Sequence, residues 1–191
     1  MKHTVVALVE DRPGVLTRVA SLFRRRGFNI DSLAVGTTEE AGISRMTIVV
    51  DGDDGTVQQV ERQLYKLIDV VKVSDLTGEE AVSRELALLK VRCNAAARRE
   101  VLDIVEIFRA QVVDVSPRSL IIQIVAEGDR LDALVENLRP YGLLETVRTG
   151  RVVMLRGETV TAVNEPEPTE AQRFHHDSGR RPEGELPYVS K

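Results

Sequence analysis

Cysteine, histidine and tryptophan are almost missing from this chain of 191 residues, which has one cysteine, three histidines and no tryptophan. The single Cys93 excludes an intrachain disulfide and a cluster of thiolate metal ligands. His3, His175 and His176 lie at the two extremities, whereas a catalytic base must be held rigidly within the body of a fold. These absences argue against a catalytic site or a metal site in this chain.

Long hydrophobic runs and a strong excess of one charge are also lacking. No apolar stretch reaches the roughly 20 residues that a membrane-spanning helix needs, and the first apolar run is too short for a signal peptide. The formal net charge is only −4, so electrostatics gives no reason to expect binding to nucleic acid or to an anionic membrane. We therefore expect a cytoplasmic protein that binds neither.

The apolar residues that are present follow one order of elements twice. Residues 4–9 read as a buried strand, 15–23 as an amphipathic helix and 29–50 as a hairpin, before a second helix and a last strand. The same order returns between residues 86 and 155. Two helices on one face of a four-stranded antiparallel sheet form the ferredoxin-like α+β arrangement. The pattern thus predicts two tandem βαββαβ domains.

Turn residues and composition set the expected domain limits. We predict a first domain over residues 3–77 and a second over 84–157, joined by a polar linker. From residue 163 the apolar pattern gives way to proline, glycine and charge, which predicts a disordered tail over 163–191. The adjacent His175 and His176 in that tail would make a poor metal chelate.

The first helix is punctuated at both ends, by Asp11-Arg12-Pro13-Gly14 before it and Gly27-Phe28-Asn29 after it. The N–H groups of a first helical turn carry the positive end of the helix dipole, and Gly14 would let a carboxylate approach them closely. Asp11 favours a zwitterion over a simple anion, because its carboxylate suits an ammonium group. The alternative is that Asp11 caps the helix and Gly14 only begins it.

Asn29 has a similar pair of interpretations. Its amide offers a donor and an acceptor to the polar end of an amino acid, but asparagine in this position often only completes a turn. We predict that Asn29 and the loop Asp11-Arg12-Pro13-Gly14, called the Gly14 loop below, lie at the same edge of the sheet and form two walls of one pocket. The remaining charge clusters, at residues 24–26, 51–54 and 98–99, are more typical of solvated turns and helix ends than of phosphate or magnesium sites.

Seven short motifs make this chain similar to a known family. They are Asp11-Arg12-Pro13-Gly14-Val15-Leu16, Arg25-Arg26-Gly27-Phe28-Asn29-Ile30-Asp31-Ser32-Leu33, Ser44-Arg45-Met46-Thr47-Ile48, Gln63-Leu64-Tyr65-Lys66-Leu67, Arg84-Glu85-Leu86, Ile107-Phe108-Arg109-Ala110 and Arg148-Thr149-Gly150. In order and spacing, over residues 3–157, the chain resembles the ACT-domain regulatory small subunit of acetolactate synthase.

The resemblance implies a noncatalytic subunit that activates a thiamine-diphosphate-dependent catalytic subunit and confers feedback inhibition by valine, leucine or isoleucine. Thiamine diphosphate, magnesium and FAD would belong to that catalytic partner, and this chain would bind no cofactor and no metal. Carried over by position, the effector pocket consists of Asp11, Gly14, Val15, Leu16, Asn29 and Ile30, in a homodimer paired through the ACT domains. Family members often have asparagine where this chain has Asp11.

The resemblance also connects Gln59 with regulation or with contact to the catalytic subunit. Because Gln59 falls outside the apolar stripe of its helix, we expect it to be exposed, as an ordinary surface glutamine would be. The second domain resembles the ligand domain of a nickel-responsive repressor. Residues 85–157 contain no histidine, however, so a metal site there is unsupported.

Two rival functions keep the same fold. A stand-alone amino-acid sensor of the ACT type would use the same pocket without a catalytic partner. An RNA-recognition domain shares the βαββαβ order, but four phenylalanines and three tyrosines leave few platforms on which bases can stack. The motifs therefore favour the regulatory subunit.

Overall fold

The chain folds into two compact units in a computed structural model that describes residues 1–163. The stretch Met1–Val82 and residues 153–163 form the first unit, and Ser83–Val152 forms the second. The first unit is thus built from two separate stretches of sequence. The tail predicted to be disordered lies, from residue 164 on, outside the described residues.

The first unit has six elements in the predicted order. They are β1 (Lys2–Glu10), α1 (Val15–Arg26), β2 (Ile30–Thr37), β3 (Ile43–Asp51), α2 (Asp54–Leu64) and β4 (Val70–Asp75). The four strands form one antiparallel sheet in the order β2-β3-β1-β4. Among the described residues, β2 and β4 are therefore the edge strands. The predicted ferredoxin-like arrangement is confirmed.

Two glycines delimit α1. Gly14 precedes the helix with a φ of 89°, and Gly27 follows it with a φ of 70°; this left-handed backbone costs glycine little because it lacks a Cβ. The N–H of Gly27 donates to the carbonyl oxygen of Arg24. No side chain caps the first turn, so the expectation that Asp11 caps α1 is wrong. Asp11 lies three residues before the cap position, too early to reach it as a cap.

The main core of the first unit lies between the sheet and its two helices. Side chains alternate along a strand, so Val5, Ala7 and Val9 of β1 share the face that the helices cover. They pack against the apolar stripes of α1 and α2, which consist of Val15, Val19, Leu22, Phe23, Val57, Val60 and Leu64. The predicted amphipathic helices are confirmed.

The opposite face of this sheet is covered in part by residues 153–162, which return to the first unit and are called the returning chain below. Val153 packs with Val6 and Leu76 in a second, smaller core. Arg45 donates from Nη2 to the carbonyl oxygen of Val153 at 2.8 Å, and burial lowers the pKa of its guanidinium. The buried Lys72 donates from Nζ to a carbonyl oxygen of the same segment, at Ala162. The first unit is therefore completed by residues that come from far along the sequence.

The second unit repeats the arrangement. Its elements are β5 (Ala81–Arg92), α3 (Arg98–Ile107), β6 (Gln111–Val115), β7 (Ser119–Ala126), α4 (Gly128–Gly142) and β8 (Leu143–Arg148), and β9 (Val152–Leu155) also pairs with β5. The strand order is β6-β7-β5-β8, the counterpart of the first sheet. The core includes the predicted helix residues Val101, Val105, Leu131, Leu134 and Leu138. The buried Cys93 belongs to this core as well.

No helix among residues 1–163 is both long and apolar enough to cross a membrane.

Replacing Val153 by aspartate should destabilise the first unit. Val153 is 8% exposed and Val152 is 52% exposed, so a carboxylate at 153 would be placed against the apolar side chains of Val6 and Leu76. We expect Val153→Asp to lower the free energy of unfolding by at least about 2 kcal/mol. Urea unfolding measures the loss, and faster hydrogen exchange of the β1 amides would locate it in the first unit.

The neighbouring Val152→Asp is the matched control, because the same charge there faces water. We expect this variant to change the free energy of unfolding by less than about 0.5 kcal/mol. Equal losses in the two variants would contradict the assignment of the returning chain to the core of the first unit.

Candidate functional site

The loop between β1 and α1 is fixed from two sides. The N–H of Glu10 donates to the carbonyl oxygen of Asp69 at 2.8 Å, and the N–H of Asp11 donates to that of Gly42 at 2.8 Å. Gly42 lies in the turn between β2 and β3, and Asp69 lies just before β4. The loop is therefore held between two other segments of the first unit, and its backbone is preorganised.

The first turn of α1 presents unpaired N–H groups at this loop. The N–H of Arg18 donates to the carbonyl oxygen of Gly14 at 3.0 Å. This is the first hydrogen bond of the helix. The N–H groups of Leu16 and Thr17 precede it and have no partner within the helix. Val15 is buried and Leu16 is 45% exposed, so Val15 anchors the turn while Leu16 stays accessible. The turn can accept an anionic group at its backbone.

Asn29 and Ile30 lie at the other end of the same sheet. In the strand register, Glu10 at the end of β1 pairs with Ile43, and Ile30 at the start of β2 pairs with Val50. These two positions on β3 are seven residues apart, or about 24 Å. The prediction that Asn29 and the Gly14 loop share one edge of the sheet is therefore wrong for a single chain. The reason is that α1 carries the chain back along the sheet before β2 begins.

The remaining candidates fall into ordinary surface positions. Gln59 is exposed on α2, as expected. Asp53 caps α2, because its carboxylate accepts hydrogen bonds from the N–H and the hydroxyl of Thr56, and these bonds lower its pKa. Asp51 pairs with the N-terminal ammonium of Met1. Among residues 1–163, no cluster of three or more histidine, cysteine, aspartate or glutamate side chains is arranged to hold a metal.

The sequence pattern did not indicate that two residues beside the Gly14 loop, Arg18 and Asp69, contact each other. Arg18 donates from Nε and Nη2 to the two carboxylate oxygens of Asp69, at 2.7 and 2.8 Å. The two residues are 51 positions apart, so no local spacing connects them. The only signal was a charged aspartate between the apolar Ile68 and Val70, which the hydrophobic pattern did not explain.

Two family motifs of the second unit meet in the structure. Thr149 accepts a hydrogen bond at Oγ1 from the N–H of Leu86, and its own N–H donates to the carbonyl oxygen of Leu86. The buried Glu85 lies within 4 Å of Arg148 and Arg151. The motifs Arg84-Glu85-Leu86 and Arg148-Thr149-Gly150 therefore connect β5 to the end of β8. These contacts give both motifs a structural role.

Comparison with known proteins assigns a family to both units. Residues 6–72 match the profile described as the AHAS small subunit-like ACT domain, and residues 84–157 match the profile described as the small subunit of acetolactate synthase.

Individual relatives match over most of the chain. A protein named probable acetolactate synthase small subunit from Archaeoglobus fulgidus is 54% identical over 157 residues, which cover 82% of this chain and 98% of that protein. An acetolactate synthase small subunit from Mycolicibacterium smegmatis is 52% identical over 155 residues, 81% of this chain and 91% of that protein.

A solved structure agrees with the fold. The crystal structure of the acetolactate synthase small subunit from Thermotoga maritima has a TM-score of 0.77 and 43% identity, and the match covers 83% of this chain and 99% of that chain. With two family profiles and relatives above half identity, the chain belongs to the family of acetolactate synthase small subunits, the noncatalytic regulatory subunits of that enzyme.

Proposed function

We propose that this regulatory subunit binds valine, leucine or isoleucine between the ACT domains of two copies and so makes the catalytic subunit sensitive to feedback inhibition. The observation that carries the proposal is the fixed loop at Gly14, which presents the unpaired N–H groups of the first turn of α1. An amino acid carboxylate fits such a group of donors. The apolar Leu16, Ile30 and Val35 suit a branched side chain, because they are at least partly exposed.

A pair of copies would bring the two halves of the pocket together. Among the described residues β2 is an edge strand, and Val35 on it is 47% exposed although apolar. Two β2 strands that pair antiparallel about a two-fold axis place the Ile30 end of one beside the Thr37 end of the other. Gly42, which holds the Gly14 loop, lies in the turn that follows Thr37. Asn29 of one copy would then face the Gly14 loop of the other.

Each end of the effector has a matching group in this arrangement. The carboxylate would accept hydrogen bonds from the N–H groups of Leu16 and Thr17. The ammonium would lie near the exposed carboxylate of Asp11 or the amide oxygen of Asn29. Because effector binding requires both copies, it would strengthen the pairing, and a coupling of about 1–3 kcal/mol would be enough for strong regulation.

Effector binding would act on the catalytic subunit of the enzyme. We propose that the chain also activates that subunit, on which thiamine diphosphate, magnesium and FAD would reside, and that the exposed Gln59 contributes to the contact. The family membership supports this assignment, because a small subunit implies a large one. Copurification tests it: a chain that senses amino acids but never associates with a thiamine-dependent subunit would be a stand-alone sensor.

Replacing Gly14 by aspartate should abolish feedback inhibition. The new carboxylate would repel that of the effector, and its Cβ would occupy the space above the first turn. We expect valine affinity to fall by at least about tenfold, or 1.4 kcal/mol, while activation of the catalytic subunit is largely retained. Asn29→His should act in the same direction. Calorimetric titration of the chain and activity of the reconstituted enzyme measure the two properties separately.

Gly78→Asp is the matched control for this variant. Gly78 has a φ of 80° with open space around it, close to the φ of 89° at Gly14, so the backbone strain is similar and no proposed site is near. Valine sensitivity should survive in this control. If Gly14→Asp also remains sensitive to valine, the proposed pocket is wrong.

Mixing the two defective variants should restore part of the valine binding. In a heterodimer of Gly14→Asp and Asn29→His chains, one site carries both substitutions and the other carries neither. Random exchange of subunits leaves about a quarter of all sites intact. Titration of the unfolded and refolded mixture should recover that fraction with wild-type affinity. A mixture that binds no better than its components would place the site within one chain.

A further inference from the structure

An ion pair between Arg18 and the buried Asp69 lies beside the Gly14 loop. The Asp69 carboxylate is only 6% exposed and both its oxygens accept hydrogen bonds from the Arg18 guanidinium, which is 49% exposed. A bidentate arginine–carboxylate pair fixes direction as well as distance. A buried carboxylate is also costly to keep without such a partner. The structure therefore holds the Arg18 side chain in one orientation.

Asp69 contacts both ends of the Gly14 loop. Its carbonyl oxygen accepts the hydrogen bond from Glu10, before the loop, and its carboxylate holds Arg18, on the first turn after the loop. The loop between these anchors contains the proposed effector residues Asp11 and Gly14. Asp69 thus connects the end of β1 to the start of α1.

The orientation of Arg18 directs its third nitrogen toward Gly14. Nε and Nη2 point at Asp69, and Nη1 lies 3.9 Å from the position that a Cβ on Gly14 would occupy. Gly14 has no such atom, so the guanidinium borders the open space beside the loop. Other charges near the loop are Asp11, which is exposed, and Glu10, which pairs with Arg12 at 3.2 Å.

We infer that Asp69 is the positioning residue of the effector loop and that the Arg18 it holds gives the pocket its preference for a carboxylate. This inference rests on the proposed function, since it concerns the same pocket. Arg18 supplies a full positive charge where the backbone N–H groups supply only partial ones. Asp69 ensures that this charge lies beside Gly14 and does not extend into water.

The test compares valine with valinamide, whose carboxylate is replaced by a neutral amide. Wild-type chain, Arg18→Gln, Asp69→Asn and the double variant are titrated with both ligands, and valine inhibition of the reconstituted enzyme is measured in parallel. We expect each single variant to lose about tenfold in valine affinity and much of the preference for valine over valinamide, and the double variant to lose little more than either.

Glu136→Gln is the matched control, because it removes an exposed pair with Arg139 at 2.7 Å in the second unit. It should leave both affinities unchanged. Asp69 is buried, so Asp69→Asn could prevent folding. In that case Arg18→Gln, at a half-exposed position, tests by itself whether the pocket prefers a carboxylate. A variant that weakens valine and valinamide equally, or that binds valine as tightly as wild type, overturns the inference. A wild-type chain that binds no branched-chain amino acid would instead refute the proposed function.

Discussion

The course of α1 along the sheet is the constraint on which the proposed site depends. The helix starts beside the end of β1 and delivers the chain to the start of β2, at the opposite end of β3. Glycines at both of its limits allow these sharp changes of direction. As a result, the Gly14 loop and Asn29 cannot meet within one chain. In the proposed two-fold pairing, this separation would give two identical pockets, each with one half from each copy.

The loop at Gly14 gains its precision from distant residues. Backbone N–H groups at its start donate hydrogen bonds to the carbonyl oxygens of Gly42 and Asp69. An ion pair between Arg18 and Asp69 connects the first turn of α1 to the chain before β4. A preorganised loop binds a small ligand more tightly than a mobile one, because less conformational entropy is lost on binding. The rigidity of the sheet is therefore transmitted to the residues proposed to contact the effector.

The two units have the same order of strands but differ in the features that surround the sheet. The first combines a fixed glycine loop, an edge strand on which Val35 is exposed, and a sheet face covered in part by residues 153–162. The second contains an ion pair between Arg148 and Glu85 and a hydrogen bond from the N–H of Leu86 to Oγ1 of Thr149. Because residues 153–163 belong to the first unit, that unit is not a single continuous segment. The family profiles, which match residues 6–72 and 84–157, divide the chain by sequence rather than by packing.

Periodicity and turn chemistry, which are local properties, determined the order of elements, the helical stripes and the glycines that delimit α1. The amino-acid sequence by itself also carried the family motifs, and with them the residues proposed to bind the effector. Only the tertiary structure decided that Asn29 and Gly14 lie at opposite ends of a sheet, that Arg18 binds Asp69, and that Val153 completes the first core. The reason is that strand register and ion pairs between distant residues depend on the packed sheet, and no spacing along the chain encodes them.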